Sequence, residues 1–253
     1  DAGTARILTQ MGFPALATTS AGYGFAIGRR NSYASLTRDG ILKNARQIVE
    51  ATDLPVSADL EDGFGIAPET CAETIELAIE AGLVGGSIED ATGHADAPIL
   101  EMRLAAERVA AAVDAAKGKP FLVTARAENY LWGRHDLADT ITRVQAFSAV
   151  GAHVLYAPGL SDLNDIRTLC RELDKPVNVV MGLVGPSISV ADLAEAGVRR
   201  ISVGGSFARA AMGAMIRAAE EVLDKGTFTY AREAVRDGDL SAMMSNEKAA
   251  ERT

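Results

Sequence analysis

The segment Pro55-Val-Ser-Ala-Asp-Leu-Glu-Asp-Gly-Phe-Gly65 carries the densest chemistry in the chain. It reads as a strand running into a glycine turn. Side chains alternate along a strand, so Asp59 and Glu61 are expected to point to one side. A second apolar run, Val84 to Glu89, ends in Glu89 and Asp90 and brings further carboxylates to the same level if the two strands are neighbours. Carboxylates about 4 Å apart repel by about 4 kcal/mol at an effective dielectric near 20. Such a group requires protonation, a basic partner or a hard cation. Any one of these acids alone is better read as a loop cap or a surface ion-pair partner. Asp59, Glu61 and Glu89 together read as a metal site, and because every donor is oxygen with no Cys or His beside it, the metal is Mg2+ or Mn2+ and not zinc.

Arg126 closes another strand-like run, Val123-Thr-Ala-Arg-Ala-Glu-Asn129, and offers a planar fork suited to a carboxylate or phosphate. Its alternative role is to neutralise the acidic cluster, and the two are compatible. Ser20-Ala-Gly22 reads as a small-residue turn whose N–H groups and hydroxyl could grip an oxyanion. His94, in the loop after Glu89, is a candidate general acid or a plain exposed residue. Ser202-Val-Gly-Gly-Ser206 sits where many barrels bind phosphate, although its glycines also serve tight packing alone.

Seven short strand candidates position these residues: Phe13 to Thr19, Pro55 to Leu60, Val84 to Glu89, Phe121 to Arg126, His153 to Ala157, Pro176 to Met181 and Arg199 to Val203. Helical periodicity fills the gaps near Leu36 to Ala51, Pro68 to Ala81, Ile99 to Ala116, Leu137 to Val150, Asp162 to Leu173, Val190 to Ala196 and Phe207 to Leu223. Helices end at Gly82, Gly151 and Gly197, where glycine accepts positive φ. A doubly wound sheet concentrates its chemistry at one switch point, whereas here polar residues end nearly every strand. That distribution predicts an α/β fold of the (β/α)8 TIM-barrel type. Only seven strands are visible, and Asp1-Ala-Gly-Thr4 reads as a loop entering a helix, so the first strand is expected upstream of residue 1. Residues 1–253 are expected to form one barrel domain with a helical tail over about 232–253.

With 253 residues and 48% apolar positions, the chain can bury one large core. Its 25 basic and 34 acidic residues give a net charge of -9 without a Lys/Arg cluster, which excludes nucleic acid and anionic membrane as partners. Cys71 and Cys170 lack neighbours at metal-ligand spacing, and no apolar run approaches the roughly 20 residues of a membrane helix. A cytoplasmic protein is expected.

Together these residues carry a family resemblance. Asp1-Ala-Gly-Thr-Ala-Arg6, Gly12-Phe-Pro-Ala-Leu-Ala-Thr-Thr-Ser20, Pro55-Val-Ser-Ala-Asp59 with Asp62-Gly-Phe-Gly65, Ser87-Ile-Glu-Asp90 and Ala125-Arg126 occur in an order that resembles the isocitrate lyase and phosphoenolpyruvate mutase superfamily. The resemblance implies a (β/α)8 barrel, a helix exchanged between subunits of dimers or tetramers, Mg2+ and small 2-oxo or 2-hydroxy carboxylate substrates. It implies that Asp59 is the main metal residue, that Glu61 and Glu89 fill the next acidic positions, and that Ser20, Ala21, Gly22 and Arg126 hold the substrate carboxylate. Departures narrow the chemistry. Lyases of the superfamily carry a Lys-Lys/Arg-Cys-Gly-His loop, where this chain reads Glu89-Asp-Ala-Thr-Gly-His94. They also place a glutamate where this chain reads Tyr156-Ala-Pro-Gly159. Phosphonate enzymes often have an aspartate in the gating loop, where this chain has Asn31, a substrate-contact candidate that cannot ionise. The expected activity is Mg2+-dependent C–C lysis or decarboxylation of a small oxo- or hydroxy-dicarboxylate through an enolate. A P–C bond enzyme and a non-catalytic 2-oxo acid binder are the alternatives.

Overall fold

The computed structural model describes residues 1–30, 35–183, 185 and 187–245. Seven parallel strands pair in chain order: β1 (Leu16–Ala17), β2 (Val56–Asp59), β3 (Gly85–Glu89), β4 (Leu122–Arg126), β5 (Val154–Tyr156), β6 (Val177–Val180) and β7 (Arg200–Ser202). They form a nearly closed barrel with helices outside, and each lies inside a run expected from β-branched and apolar content. An eighth strand is not among the described residues.

Ten α-helices complete the described chain: α1 (Ala2–Gln10), α2 (Ser20–Ala26), α3 (Arg38–Val49), α4 (Pro68–Glu80), α5 (Met102–Ala116), α6 (Leu137–Ala149), α7 (Leu163–Arg171), α8 (Val190–Glu195), α9 (Ser206–Lys225) and α10 (Asp237–Met244). Their starts follow the expected capping chemistry. Asp1, Thr37, Asp136, Asp162 and Ser189 each accept a backbone N–H of the first turn. Gly82, Gly151 and Gly197 follow α4, α6 and α8 with φ of 85°, 99° and 101°.

The apolar core lies between strands and helices. Val56, Ala58, Ile75, Ala78 and Leu60 form part of one cluster, and Val144, Phe147, Leu155, Ile166 and Val177 part of a second. The lumen is polar. Ser57 and Asp59 alternate with the buried Val56 and Ala58 on β2, and Arg200 of β7 reaches Ser57 Oγ at 2.9 Å and Asn178 Oδ1 at 2.9 Å. No described helix is long and apolar enough to cross a membrane.

Candidate active site

Parallel register sets the site. Glu89 at the end of β3 lies beside Arg126 at the end of β4, and Arg126 beside Tyr156 at the end of β5. Arg126 then spends its whole fork on acids. Nη1 donates to Asp59 Oδ1 at 2.9 Å, Nη2 meets Glu89 Oε2 at 3.0 Å and Glu128 Oε1 at 2.8 Å, and Nε donates to Glu128 Oε1 at 2.9 Å. Its guanidinium carbon sits 5.2 Å from the centre of the Tyr156 ring, an additional cation–π contact. Arg126 is only 12% exposed and its three partners 4–22%, so these are desolvated pairs, where loss of one member costs far more than at a surface.

Asp59 is held from two further directions. Its Oδ2 accepts Ser20 Oγ at 2.9 Å and Ser20 N at 3.3 Å, and its own N–H reaches Thr18 Oγ1 at 3.0 Å. The expected loose turn at Ser20-Ala-Gly22 is instead the first turn of α2, capped by Thr19, whose hydroxyl accepts Gly22 N at 3.3 Å. Glycines at 22 and 24 hide that helix from propensity rules, because glycine is a poor helix former.

Glu61 reaches the cluster by a different route from the one strand alternation predicts. β2 ends at Asp59, Leu60 is buried, and Glu61 takes φ 49°, followed by Gly63 at 76° and Phe64 at 64°. A left-handed non-glycine residue costs about 1–2 kcal/mol, so the turn is strained at two positions, Glu61 and Phe64. The side chain still lies near Asp59. Burial, then the charges of Asp59 and Asp62, push the Glu61 carboxyl up to about 7. Burial is also the first cause that raises Glu89 and Glu128, with neighbouring carboxylates adding and Arg126 opposing. Burial works against the Arg126 charge, but Glu128, Glu89 and Asp59 outweigh it and hold that pKa well above the usual value.

One guanidinium among four carboxylates leaves excess negative charge once they ionise. That all-oxygen donor set fits a hard cation. Among the described residues no group of three or more acidic, His or Cys side chains is arranged to hold a metal ion directly. Mg2+ at such a set would keep several waters and take only one or two protein carboxylates. Asp59, Glu61 and Glu89 are the residues that would hold it.

His94 is exposed in the loop after Asp90, where its N–H donates to Thr92 Oγ1 at 3.0 Å, and it is not brought to the cluster. Asn31 lies outside the described residues. Conversely, the roles of four residues, Glu128, Asp90, Arg143 and Arg108, escaped the sequence reading. Glu128 shares the lumen face with Arg126 two residues earlier. Behind it Asp90 is buried, receives Glu128 N at 2.8 Å and pairs with Arg143 of α6 at 3.2 Å. Arg143 also donates to Leu100 O at 2.8 Å. Arg108 of α5 is buried and donates to the carbonyls of Asp62 and Gly65. Both arginines sit within buried, largely apolar helical stripes, with Ala105, Val109 and Ala112 in α5 and with Thr140, Val144 and Phe147 in α6. A cation in the middle of such a stripe is the signal that would have found them.

Known proteins share this arrangement of the chain. A Burkholderia cenocepacia protein, assigned provisionally as a lyase/mutase, is 56% identical and superposes with a TM-score of 0.93 over 96% of this chain and 87% of its own. A 2,3-dimethylmalate lyase, described as a PEP mutase/isocitrate lyase superfamily member, is 27% identical with a TM-score of 0.85, covering 96% of this chain and 86% of that one. The 2-methylisocitrate lyase of Escherichia coli is 29% identical over 74% of this chain and 64% of that enzyme. Residues 1–223 match the phosphoenolpyruvate phosphomutase family. The chain therefore belongs to that family, within a superfamily whose members are lyases and mutases.

Proposed function

We propose that the protein is a divalent-cation-dependent lyase or decarboxylase that breaks a C–C bond in a small 2-oxo or 2-hydroxy dicarboxylate and leaves an enolate. The observation that carries this reading is the one-guanidinium, four-carboxylate cluster at the strand ends, whose charge excess calls for a cation and whose Arg126 marks where an anion is met. Bound there, Mg2+ or Mn2+ would offset the negative charge that develops on the 2-oxo oxygen. Asp59 would be the direct ligand, Glu61 and Glu89 would act through coordinated water, and the first turn of α2 at Ser20, Ala21 and Gly22 would flank the substrate carboxylate. Arg126, held among Asp59, Glu89 and Glu128, would orient that carboxylate at the same mouth. A role for His94 as proton donor requires the loop between Asp90 and Ile99 to close over the site.

Incubation with oxaloacetate, 2-methylisocitrate and phosphonopyruvate, with and without Mg2+, tests this reading by pyruvate release. Cation-dependent C–C cleavage of oxaloacetate or 2-methylisocitrate supports it. Turnover of phosphonopyruvate alone points to the P–C bond alternative, and tight binding of all three without turnover points to a binder.

A homo-oligomer is part of the proposal. No residue of the 20-residue α9 is buried, and Met215, Ile216 and Leu223 are 65%, 52% and 84% exposed. An amphipathic helix with that face in water needs a partner. Light scattering after gel filtration should give a dimer or larger, and Ile216→Glu with Leu223→Glu should shift it toward the monomer; an unchanged mass would remove α9 from the interface.

A further inference from the structure

The strained turn after β2 is gripped from outside the barrel. Three of its carbonyls have side-chain donors on two helices. Arg108 of α5 donates to Asp62 O and Gly65 O, and Thr74 of α4 donates to Gly63 O at 2.9 Å. Thr74 is fully buried and Arg108 nearly so. Neither touches the acidic cluster itself. From the lumen side, Glu61 O accepts Glu89 N at 3.0 Å and Glu61 N approaches Asp59 Oδ1 at 3.4 Å. The turn is thus determined twice over, which is the condition under which non-glycine residues persist in left-handed conformations at functional sites.

We infer that Arg108 and Thr74 are positioning residues: their hold on the carbonyls of Asp62, Gly63 and Gly65 keeps Glu61 in its left-handed conformation and its carboxylate aimed beside Asp59. The idea deepens the proposed cation site and rests on it for one of its two readouts. A guanidinium is suited to the role because its rigid fork bridges two carbonyls at once, whereas a lysine ammonium is a point donor. Outer partners that orient a metal's ligands commonly change affinity by about 10- to 100-fold when removed.

Arg108→Lys, Thr74→Val and Thr74→Ser separate the roles, with Mn2+ affinity from electron paramagnetic resonance and amide exchange over residues 60–66 as readouts. Arg108→Lys and Thr74→Val are expected to weaken Mn2+ binding by about tenfold or more and to speed exchange in that turn, with β4 to β6 protected as before. Thr74→Ser, which keeps the hydroxyl, should restore both. Phe147→Leu, a core change in the other apolar cluster, controls for lost stability and should leave Mn2+ affinity unaltered. Faster exchange with wild-type Mn2+ affinity would reduce the pair to a structural role and overturn the inference. Should the unmodified protein bind no Mn2+, the cation reading fails by itself, and unchanged exchange in both variants would then refute the latch.

Discussion

Arg126→Met is expected to lower turnover by about 100- to 1,000-fold and to destabilise the protein by about 3–5 kcal/mol at pH 8. The substitution keeps length and packing while removing the single cation that faces Asp59, Glu89 and Glu128. Those acids then sit largely out of water without compensation. The folded-state pKa values of Glu89 and Glu128, already raised by burial, rise further. A carboxyl whose pKa is raised on folding favours the folded state while protonated and loses that advantage as pH rises through its folded value. The damage should therefore shrink on acidification, as the acids take up protons. Urea denaturation at pH 8 and pH 5.5 measures this. A variant as stable as the parent at pH 8 would mean that the cluster is compensated in some other way.

The second large effect is expected at Arg143, which is buried behind the acidic cluster against Asp90. Its partner Asp90 is buried, and burial, as the largest cause, pushes that carboxyl up to about 7 despite Arg143 and the bond from Glu128 N. Arg143→Met removes the charge that opposes burial at Asp90, so that pKa rises further and any ionised form is unpaired, and it also removes the donor to Leu100 O. The expected cost is about 3–5 kcal/mol at pH 8 and clearly less at pH 6, where Asp90 holds a proton. Turnover should fall as well, because Asp90 fixes the backbone of Glu128 and so the carboxylate against Arg126 Nε. The comparison is again made by urea denaturation, and a loss below about 1 kcal/mol, or one equal at both pH values, would show that the pair is not energetically coupled as its burial implies.

Much of the fold is legible in the chain because parallel barrel strands are short apolar runs between amphipathic helices, and each signal is local. Val154–Tyr156 and Val177–Val180 are recognisable from β-branched content alone. Asp59, Glu89 and Arg126 are likewise legible, since strand ends in such folds point polar residues into one mouth, and the structure does bring these three together. What escaped depends on relations that sequence spacing does not encode. α2 forms through the Thr19 cap despite its glycines. Glu61 leaves the strand period because Leu60 is drawn into the core and the chain turns left-handed after it. Arg108 and Arg143 look like ordinary helix charges unless the stripes around them are read as buried faces. Exposed α9 shows the reverse, an apolar stripe left in water among the described residues.

The central claim is that Asp59 and its neighbours hold a divalent cation against which an enolate is stabilised. Oxalate tests this without knowledge of the substrate, because its planar pair of adjacent oxygens mimics the enolate of a 2-oxo acid. Calorimetric titration of oxalate into the protein should show binding that requires Mg2+ and disappears in Asp59→Asn. Oxalate binding of equal strength without Mg2+, or undiminished in Asp59→Asn, would contradict the account.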